Sequence, residues 1–360
     1  MEGTKMAIAS SDASTSAPAA HTAAASGATA VAASASSSWS GVAIPTLDAA
    51  ILVSGVLGHA LVVVILSCKR RKGLSGSRTD VLLLSLSVAD LTQLACLPFN
   101  SASIVLHEWI FGAALCKLFS FLATACTSAS VFTLTVLSLN RYVTVAHVSW
   151  AYRLSRSWAT HVTMLTCIWL PALVIALPQP IYNKLHVEPL YCLAIHMVDN
   201  GSSHIAYASV LFVSCFVLPL LIISFAYCRL VCYVNKRRRS PSCELRASRG
   251  PAFDNYNQRL TVTVVLLVVA FVVCWLPSYV VMYLTALGKQ SQLNFGTFML
   301  ARLMSLTSLV INPFIYAFLS RQFRRDLREV FESGARCWVS RGNDARVNPC
   351  PCADICGDIA

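Results

Sequence analysis

The chain has 360 residues, of which 56% are hydrophobic and 12% are charged, whereas roughly 25% of the residues in a soluble domain are charged. This composition excludes an ordinary soluble globular protein. The formal net charge of +12 would suit a nucleic-acid-binding protein, but the basic residues cluster beside apolar segments, where they meet anionic lipid headgroups and acidic partners. We therefore expect no nucleic-acid partner.

The first forty residues are rich in Ala, Ser, Thr and Gly and contain almost no large apolar side chains. They lack the basic start and the apolar block of a cleavable signal peptide, so the first apolar segment is expected to act as the insertion signal. We predict that residues 1–43 form a disordered extracellular N-terminus.

Seven apolar segments follow, each long enough to cross the roughly 30 Å hydrocarbon core of a bilayer as a helix. Helices are expected because in lipid the backbone groups must find hydrogen-bond partners within the protein. The segments lie near residues 44–68, 79–100, 113–144, 158–179, 205–235, 257–286 and 294–318. The predicted fold is an all-α membrane protein whose seven-transmembrane helix bundle occupies residues 44–318.

Lys and Arg residues are concentrated after the first, fifth and seventh segments, whereas the connections after the second and sixth contain only Lys289. Cytoplasmic connections carry the excess of basic residues, so these clusters mark the cytoplasmic side. We expect a multi-pass protein of the plasma membrane with its N-terminus outside the cell.

Two cysteines, Cys116 at the outer end of the third segment and Cys192 in the loop after the fourth, are the only ones that this topology places on the oxidising side. We predict a disulfide bond between them that ties the loop to the helix; the alternative is two free thiols. Asn200, in an Asn-Gly-Ser sequence of the same loop, is a predicted glycosylation acceptor.

Polar, aromatic and proline residues interrupt the apolar segments, where ionisable groups are costly and prolines bend helices. Asp90 lies midway along the second segment, and Asn140-Arg141-Tyr142 ends the third. The later segments contribute Trp169, Pro219, Tyr227, Phe271, Trp275, Pro277, Asn312, Pro313, Tyr316 and Phe323. In this order, the set resembles the rhodopsin-like (class A) family of G-protein-coupled receptors over about residues 44–332.

The resemblance implies a receptor, not an enzyme, that binds an extracellular ligand and activates heterotrimeric G proteins. It implies that Trp275 lies under the ligand cavity and that kinked helices let the sixth helix move outward. The implied switch residues are Phe271, Trp275, Pro277, Asn312, Pro313, Tyr316 and Tyr227. The implied G-protein contacts are Asn140, Arg141 and Tyr142. As alternatives, the aromatic residues simply pack the bundle and the tyrosines anchor it at the membrane interface.

The resemblance also implies a sodium ion held by Asp90, Ser130 and Asn312, and no other cofactor. The alternative is a neutral, hydrogen-bonded Asp90. His59 stands where the family has asparagine, so an ion pair with Asp90 is expected to weaken sodium binding. Our hypothesis is that protonated His59 competes with sodium and makes the receptor sensitive to pH.

A second departure is Asn140, which stands where the family has an acid that restrains the arginine. An amide cannot form that ion pair, so we predict raised basal activity.

Two positions limit the class of ligand that the receptor can bind. Ala123 stands where amine receptors have an aspartate, and Leu306 where light receptors have a lysine, which argues against amines and retinal. The sequence of the outer turns and loops resembles that of the galanin, allatostatin and kisspeptin receptor group, so we expect a neuropeptide ligand. The predicted ligand pocket consists of Gln93, Trp109, Lys117, Tyr182 and Trp275.

After the seventh segment, residues 319–333 place apolar side chains on one helical face and arginines on the other. We predict a short amphipathic helix on the cytoplasmic membrane surface, followed by a cytoplasmic tail over 334–360. Cys337 is a predicted palmitoylation site.

Two other functions remain open at this point. The chain could be a receptor-fold protein without its own signalling, acting as a partner or trafficking subunit. It could also be a seven-helix ion or proton transporter with Asp90 and His59 as relay groups.

Overall fold

The computed structural model describes most of the helical part of the chain. Its described residues are 21–71, 77–106, 108–147, 149, 157–182, 202–239, 251–289, 293–319, 324, 325, 327, 328 and 332. Regular secondary structure in these residues is entirely helical. The chain divides into two compact units, Met1–Ile44 and Pro45–Ala360, and every contact described below lies in the second.

Seven long helices are named here in chain order: α1 (His21–Arg71), α2 (Arg78–Leu106), α3 (Gly112–Ala146), α4 (Trp158–Ala176), α5 (Ser202–Phe212, Val213–Val217 and Leu218–Arg239), α6 (Pro251–Ala286) and α7 (Phe295–Leu319). A four-residue helix, Gln179–Tyr182, follows α4. Within the described residues, each of the seven contains a stretch apolar and long enough to span a bilayer. The predicted all-α seven-helix fold is confirmed.

The side chains are distributed as a bilayer requires. Large apolar residues such as Leu57, Phe225 and Leu300 are 66, 62 and 59% exposed on the outside of the bundle. Polar residues such as Asp90 and Ser130 are buried inside it. Burying polar groups while exposing apolar ones is favourable when the surrounding medium is hydrocarbon.

Helix α1 begins within the segment that the sequence analysis assigned to the N-terminal region. Residues 21–43 are helical and belong to α1. The segment is rich in alanine, which has the highest helix propensity of the amino acids, and propensity outweighed the lack of large apolar side chains. Residues 1–20 lie outside the described residues.

Several helix ends also differ from the predicted segments. Helix α2 continues to Leu106 through Pro98, beyond the predicted end at residue 100. In α5, the five residues Val213–Val217 are π-helical and directly precede Leu218–Arg239. Pro219 explains this widening, because its ring has no N–H to donate and clashes with the carbonyl four residues earlier.

Helix α3 lies between two hydrophobic clusters. The first joins α3 to α1, α2 and α4 through residues such as Val62, Leu86, Ala129 and Ile168. The indole N–H of Trp169 adds a hydrogen bond from α4 to Ser85 Oγ of α2, at 3.0 Å. The second joins α3 to α5 and α6 through Val131, Phe216, Phe271, Trp275 and Tyr279. Helix α3 therefore contacts helices on both sides of the bundle.

Helices α1 and α7 approach closely at Gly58. A Cβ atom at Gly58 would lie 2.7 Å from Cγ of Pro313 and 3.1 Å from its Cβ. The absence of a side chain at Gly58 therefore permits this packing, and it sets the next residue, His59, beside Asn312 and the middle of the bundle.

Beyond α7, the described residues Arg324, Arg325, Leu327, Arg328 and Glu332 are helical. Leu327 packs against the first cluster, while the other four are exposed. This pattern agrees with an amphipathic helix, although its predicted bounds, 319–333, fall partly outside the described residues.

Candidate functional site

Four polar side chains from four helices, Asp90 among them, meet in the middle of the bundle. Ser130 of α3 donates a hydrogen bond to Asp90 Oδ1 at 2.6 Å, and Asn312 of α7 donates one to Oδ2 at 3.0 Å. His59 of α1 places Nε2 at 3.2 Å from the same Oδ2. Asp90 and His59 are 0 and 1% exposed. The structure thus brings together all four residues of the predicted polar core.

The hydrogen-bond partners of His59 define its tautomer. Nε2 lies 3.0 Å from the carbonyl oxygen of Leu309, which can only accept, so Nε2 carries a hydrogen. Nδ1 lies 3.3 Å from Ser87 Oγ, which donates to a neutral ring or accepts from a protonated one. The site therefore accommodates both charge states of the imidazole.

This arrangement fits the implied sodium ion poorly. Asp90 and Ser130 offer the oxygen atoms that sodium prefers, but both carboxylate oxygens already accept hydrogen bonds. The Nε2 atom of His59 lies 3.2 Å from Asp90 Oδ2 and so occupies space that a cation bound to that oxygen would need.

A large cavity opens above this core, with about 1290 Å³ of space including that open to solvent. Gln93 lines it from α2, and Trp275 lines it from α6. Ala123 and Leu306 also line it, so neither of the two positions examined for amine and retinal chemistry presents a charge. The other lining residues are Cys96, Leu97, Asn100, Phe119, Ser120, Thr124, Thr127, Ser128, Gln179, Leu211, Cys215, Ser278, Tyr279, Met282, Phe298, Arg302 and Ser305.

Arg302 of α7, which our sequence analysis missed, is the charged side chain among these lining residues. Its Nη1 and Nη2 donate to Oδ1 and Oδ2 of Asp48 in α1, at 2.9 and 3.0 Å. Ser101 of α2 also donates to Oδ2 of Asp48. The available signal was the occurrence of opposite charges within two apolar segments, since such residues pair inside membrane proteins.

Trp109 does not line the cavity, which corrects its predicted position. Its indole is 2% exposed and donates to the carbonyl of Gly112 at 2.8 Å. The ring packs against Phe111 and Phe119, at centroid distances of 5.1 and 6.0 Å. Gly112 has φ of 81°, a conformation that favours glycine, and so closes the turn that buries Trp109.

The other two predicted pocket residues are also outside the described cavity lining. Lys117 is exposed at the outer end of α3. Tyr182 ends the short helix after α4, and its side chain lies outside the described part of the structure.

A cluster of aromatic rings leads from the cavity towards the cytoplasmic side. Trp275 and Tyr279 belong to both the cavity lining and the second hydrophobic cluster, which also contains Phe216 and Phe271. Phe216 stacks on Phe271 with centroids 5.5 Å apart and planes inclined by 16°. Phe271 also lines a smaller cavity together with Arg141 and Tyr227. Packed side chains thus connect the outer cavity with Arg141.

At the cytoplasmic end of α3, Asn140 faces α2. Its Nδ2 donates to Thr79 Oγ1 at 3.2 Å, while its Oδ1 is buried without a hydrogen-bond partner. Arg141 has neither an ion pair nor a hydrogen bond to the described side chains. Tyr142 packs with Tyr227 in a small cluster. Within the described residues, the side chain of Asn140 therefore bonds α2 and not Arg141.

The structure describes only some of the remaining predicted site residues. Pro277 and Pro313 lie inside α6 and α7, and the backbone of Tyr316 belongs to α7, although its side chain is outside the described residues. Cys116 is disulfide-bonded. Its predicted partner Cys192, the glycosylation candidate Asn200 and the palmitoylation candidate Cys337 lie outside the described residues.

These features define a seven-helix membrane protein with an outer cavity and a cytoplasmic arginine linked through its core. The family model for the seven-transmembrane receptors of the rhodopsin family matches residues 59–316, which extend from α1 to α7. The chain belongs to this family. Its members are signalling receptors and not enzymes, so the protein is a multi-pass receptor of the plasma membrane.

Similar proteins include several receptors. Over 302 residues the chain is 31% identical to galanin receptor type 1 of Rattus norvegicus, covering 82% of this chain and 84% of that receptor. Over 299 residues it is 28% identical to the allatostatin-A receptor of Bombyx mori, covering 80% and 79%. Over 316 residues it is 25% identical to neuropeptide Y receptor type 6 of Mus musculus, covering 83% and 82%. The resemblance stated from the motifs is confirmed at the level of the family.

Proposed function

We propose that this receptor binds an extracellular neuropeptide in the cavity above Trp275 and activates heterotrimeric G proteins. The observation that supports it best is the packed aromatic path from the cavity lining, through Trp275 and Phe271, to the small cavity at Arg141. A ligand that displaces Trp275 changes the packing of α6 at Phe271. Outward movement of α6 then opens the surface around Arg141 to the G protein.

The relatives support a peptide as the ligand class, because galanin, allatostatin-A and neuropeptide Y receptors are among the similar proteins. The cavity agrees with this class. Apart from Arg302, whose charge Asp48 balances, it is lined by neutral polar and apolar residues, as a site for part of a peptide requires.

The direct test is a dose–response measurement of G-protein activation in cells that express the full chain. Galanin, allatostatin-A and neuropeptide Y peptides are the first probes, followed by a broader neuropeptide panel. For a peptide that activates the receptor, Gln93→Leu in the cavity is expected to reduce potency, while Leu300→Ala on the outside of the bundle leaves it unchanged. A panel without any active peptide, or equal effects of the two substitutions, contradicts the proposal.

For the membrane topology, we propose an extracellular N-terminus. Basic residues such as Lys69 and Arg70 at the end of α1 support this orientation, since cytoplasmic flanks carry the positive charge. An epitope tag at the N-terminus should be stained on intact cells. Staining that requires permeabilised cells contradicts the orientation.

Three covalent modifications complete the proposal: a Cys116–Cys192 disulfide, glycosylation of Asn200 and palmitoylation of Cys337. The disulfide state of Cys116 supports the first. Peptide mapping under non-reducing conditions should recover a fragment that contains Cys116 and Cys192 together. Recovery of Cys116 with another cysteine contradicts that pairing.

We also propose that basal activity is raised and that sodium acts weakly. The first rests on Asn140, whose side chain bonds Thr79 and leaves Arg141 without an ion pair to the described residues. The second rests on the His59 contact with Asp90.

A further inference from the structure

The outer ends of α1 and α7 are joined by a nearly buried ion pair. Asp48 is 2% exposed, and the side chain of Arg302 is 11% exposed. Both terminal nitrogens of the guanidinium donate to the carboxylate in a two-point contact, at 2.9 and 3.0 Å. This geometry fixes the plane of the guanidinium, because the fork of donors matches the two oxygens.

The contact leaves part of the guanidinium for another partner. An arginine has five N–H donors, and Asp48 uses one on Nη1 and one on Nη2. The other three donors have no hydrogen-bond acceptor among the described side chains and backbone. Because Arg302 lines the outer cavity, a ligand in that cavity can supply the acceptor.

The charge balance decides which acceptor is favoured. The charges of Asp48 and Arg302 cancel, and the remaining described lining residues are neutral. A ligand carboxylate beside Arg302 would leave one uncompensated negative charge in a mostly buried site, which is costly. A ligand ammonium would face the guanidinium with no carboxylate in the described lining to bind it. A neutral carbonyl oxygen accepts from Arg302 without either cost.

We propose that Arg302 binds an amide carbonyl oxygen of the ligand and that Asp48 is the positioning residue which orients and neutralises it. The receptor then selects an uncharged amide over a carboxylate at this point of the cavity. The inference rests on the proposed function, since it takes the outer cavity to be the ligand site. It adds the chemical class of the ligand group and the residues that select it.

The test uses the purified full chain in detergent and two small probes that differ in one group, N-acetyl-phenylalanine amide and N-acetyl-phenylalanine. Binding is measured at neutral pH by saturation-transfer nuclear magnetic resonance. The wild type should bind the amide about tenfold more tightly than the carboxylate, the size of one hydrogen bond to a charged donor.

Asp48→Asn should reverse the preference, because it leaves the positive charge of Arg302 uncompensated and attractive to a carboxylate. The double variant Asp48→Asn/Arg302→Gln is neutral at both positions and should bind the amide about tenfold more weakly and show no preference. Because the double variant leaves no unpaired buried charge, its binding can still be measured if the single variant folds poorly. Leu300→Ala, whose side chain is 59% exposed on the outside of the bundle, should behave as the wild type.

Equal binding of the two probes to the wild type, a preference for the carboxylate, or no binding of either probe overturns the inference. So does a double variant that retains the amide preference. The proposed function is read separately, from the dependence of basal G-protein activation on Arg141. If basal activation depends on Arg141 but the probes do not bind as expected, only the role proposed for Arg302 is rejected.

Discussion

His59 and Asn140 stand where the family has asparagine and an acid, and both change the interactions of a charged neighbour. His59 brings Nε2 to 3.2 Å from Asp90 Oδ2, so the imidazole occupies space that a cation bound to that oxygen would need. Asn140 donates to Thr79 and offers no charge to Arg141. The receptor therefore differs from its family in the contacts of Asp90 and Arg141. One substitution can reverse each difference.

His59→Asn should increase the effect of sodium, because it removes the imidazole that lies against Asp90 Oδ2 and restores an amide. The melting temperature of the purified receptor should rise with sodium chloride, relative to choline chloride at equal ionic strength, more in the variant than in the wild type. Adding Asp90→Asn to the variant should abolish the effect. A wild-type response as large as that of His59→Asn contradicts the role assigned to His59.

Asn140→Asp should lower basal signalling, because a carboxylate at this buried position can hold the neighbouring Arg141. A hydrogen bond to a charged group contributes about 1.5–3 kcal/mol, so a fall of about tenfold or more in basal G-protein activation is expected. Asn140→Ala is the matched control, since it removes the contact with Thr79 without adding charge. Equal basal activity in the wild type and in Asn140→Asp, at equal surface expression, counts against this account.

The sequence predicted the polar core at residue level but not the Asp48–Arg302 pair. Asp90, Ser130 and Asn312 occupy positions that the family motifs define, so their meeting could be expected. Asp48 and Arg302 are 254 residues apart, and their contact depends on the rotation and depth of α1 and α7. No local pattern determines those two quantities.

Between elements, α1 and α7 approach closely at Gly58, where the ring of Pro313 fills the space of a side chain. A proline ring cannot rotate away, so this contact sets the distance between the two helices. It thereby controls the His59–Asp90 and Asp48–Arg302 contacts, which both involve α1.

Gly58→Ala should therefore destabilise the receptor by about 1–3 kcal/mol, the usual cost of overpacking a tight interior. Gly55→Ala is the matched control: its Cβ would meet Cδ1 of Leu94 at 2.8 Å, the end of a flexible side chain that can turn aside. The favourable helix propensity of alanine offsets part of that cost. Thermal melting of the purified variants measures the difference, and equal melting temperatures contradict the tight α1–α7 contact.

The sequence located the seven helices but not all their ends or irregularities. Apolar length defines a membrane span, whereas the N-terminal extension of α1 depends on alanine propensity, which hydropathy ignores. The π-helical turn in α5 and the burial of Trp109 depend on the surroundings of Pro219 and on the aromatic residues near Gly112. Such features arise from packing rather than periodicity.

In the whole molecule, a neutral outer cavity, a buried polar core and a cytoplasmic arginine lie along one helix bundle. Phe271 belongs to the cluster that contains Trp275 and lines the cavity that contains Arg141, so the two ends share packed side chains. A receptor requires such a connection, because ligand binding shifts a conformational equilibrium only through groups whose contacts differ between the two states.

The most direct test of this account is the rate of G-protein nucleotide exchange, without ligand, in membranes that contain equal amounts of the wild type or of Arg141→Ala. If the protein is a signalling receptor whose arginine is not restrained by Asn140, the wild type should exchange nucleotide well above membranes without receptor. Arg141→Ala should return to that background. Equal exchange by the wild type and Arg141→Ala would contradict the account and would favour a receptor-fold protein that does not signal by itself.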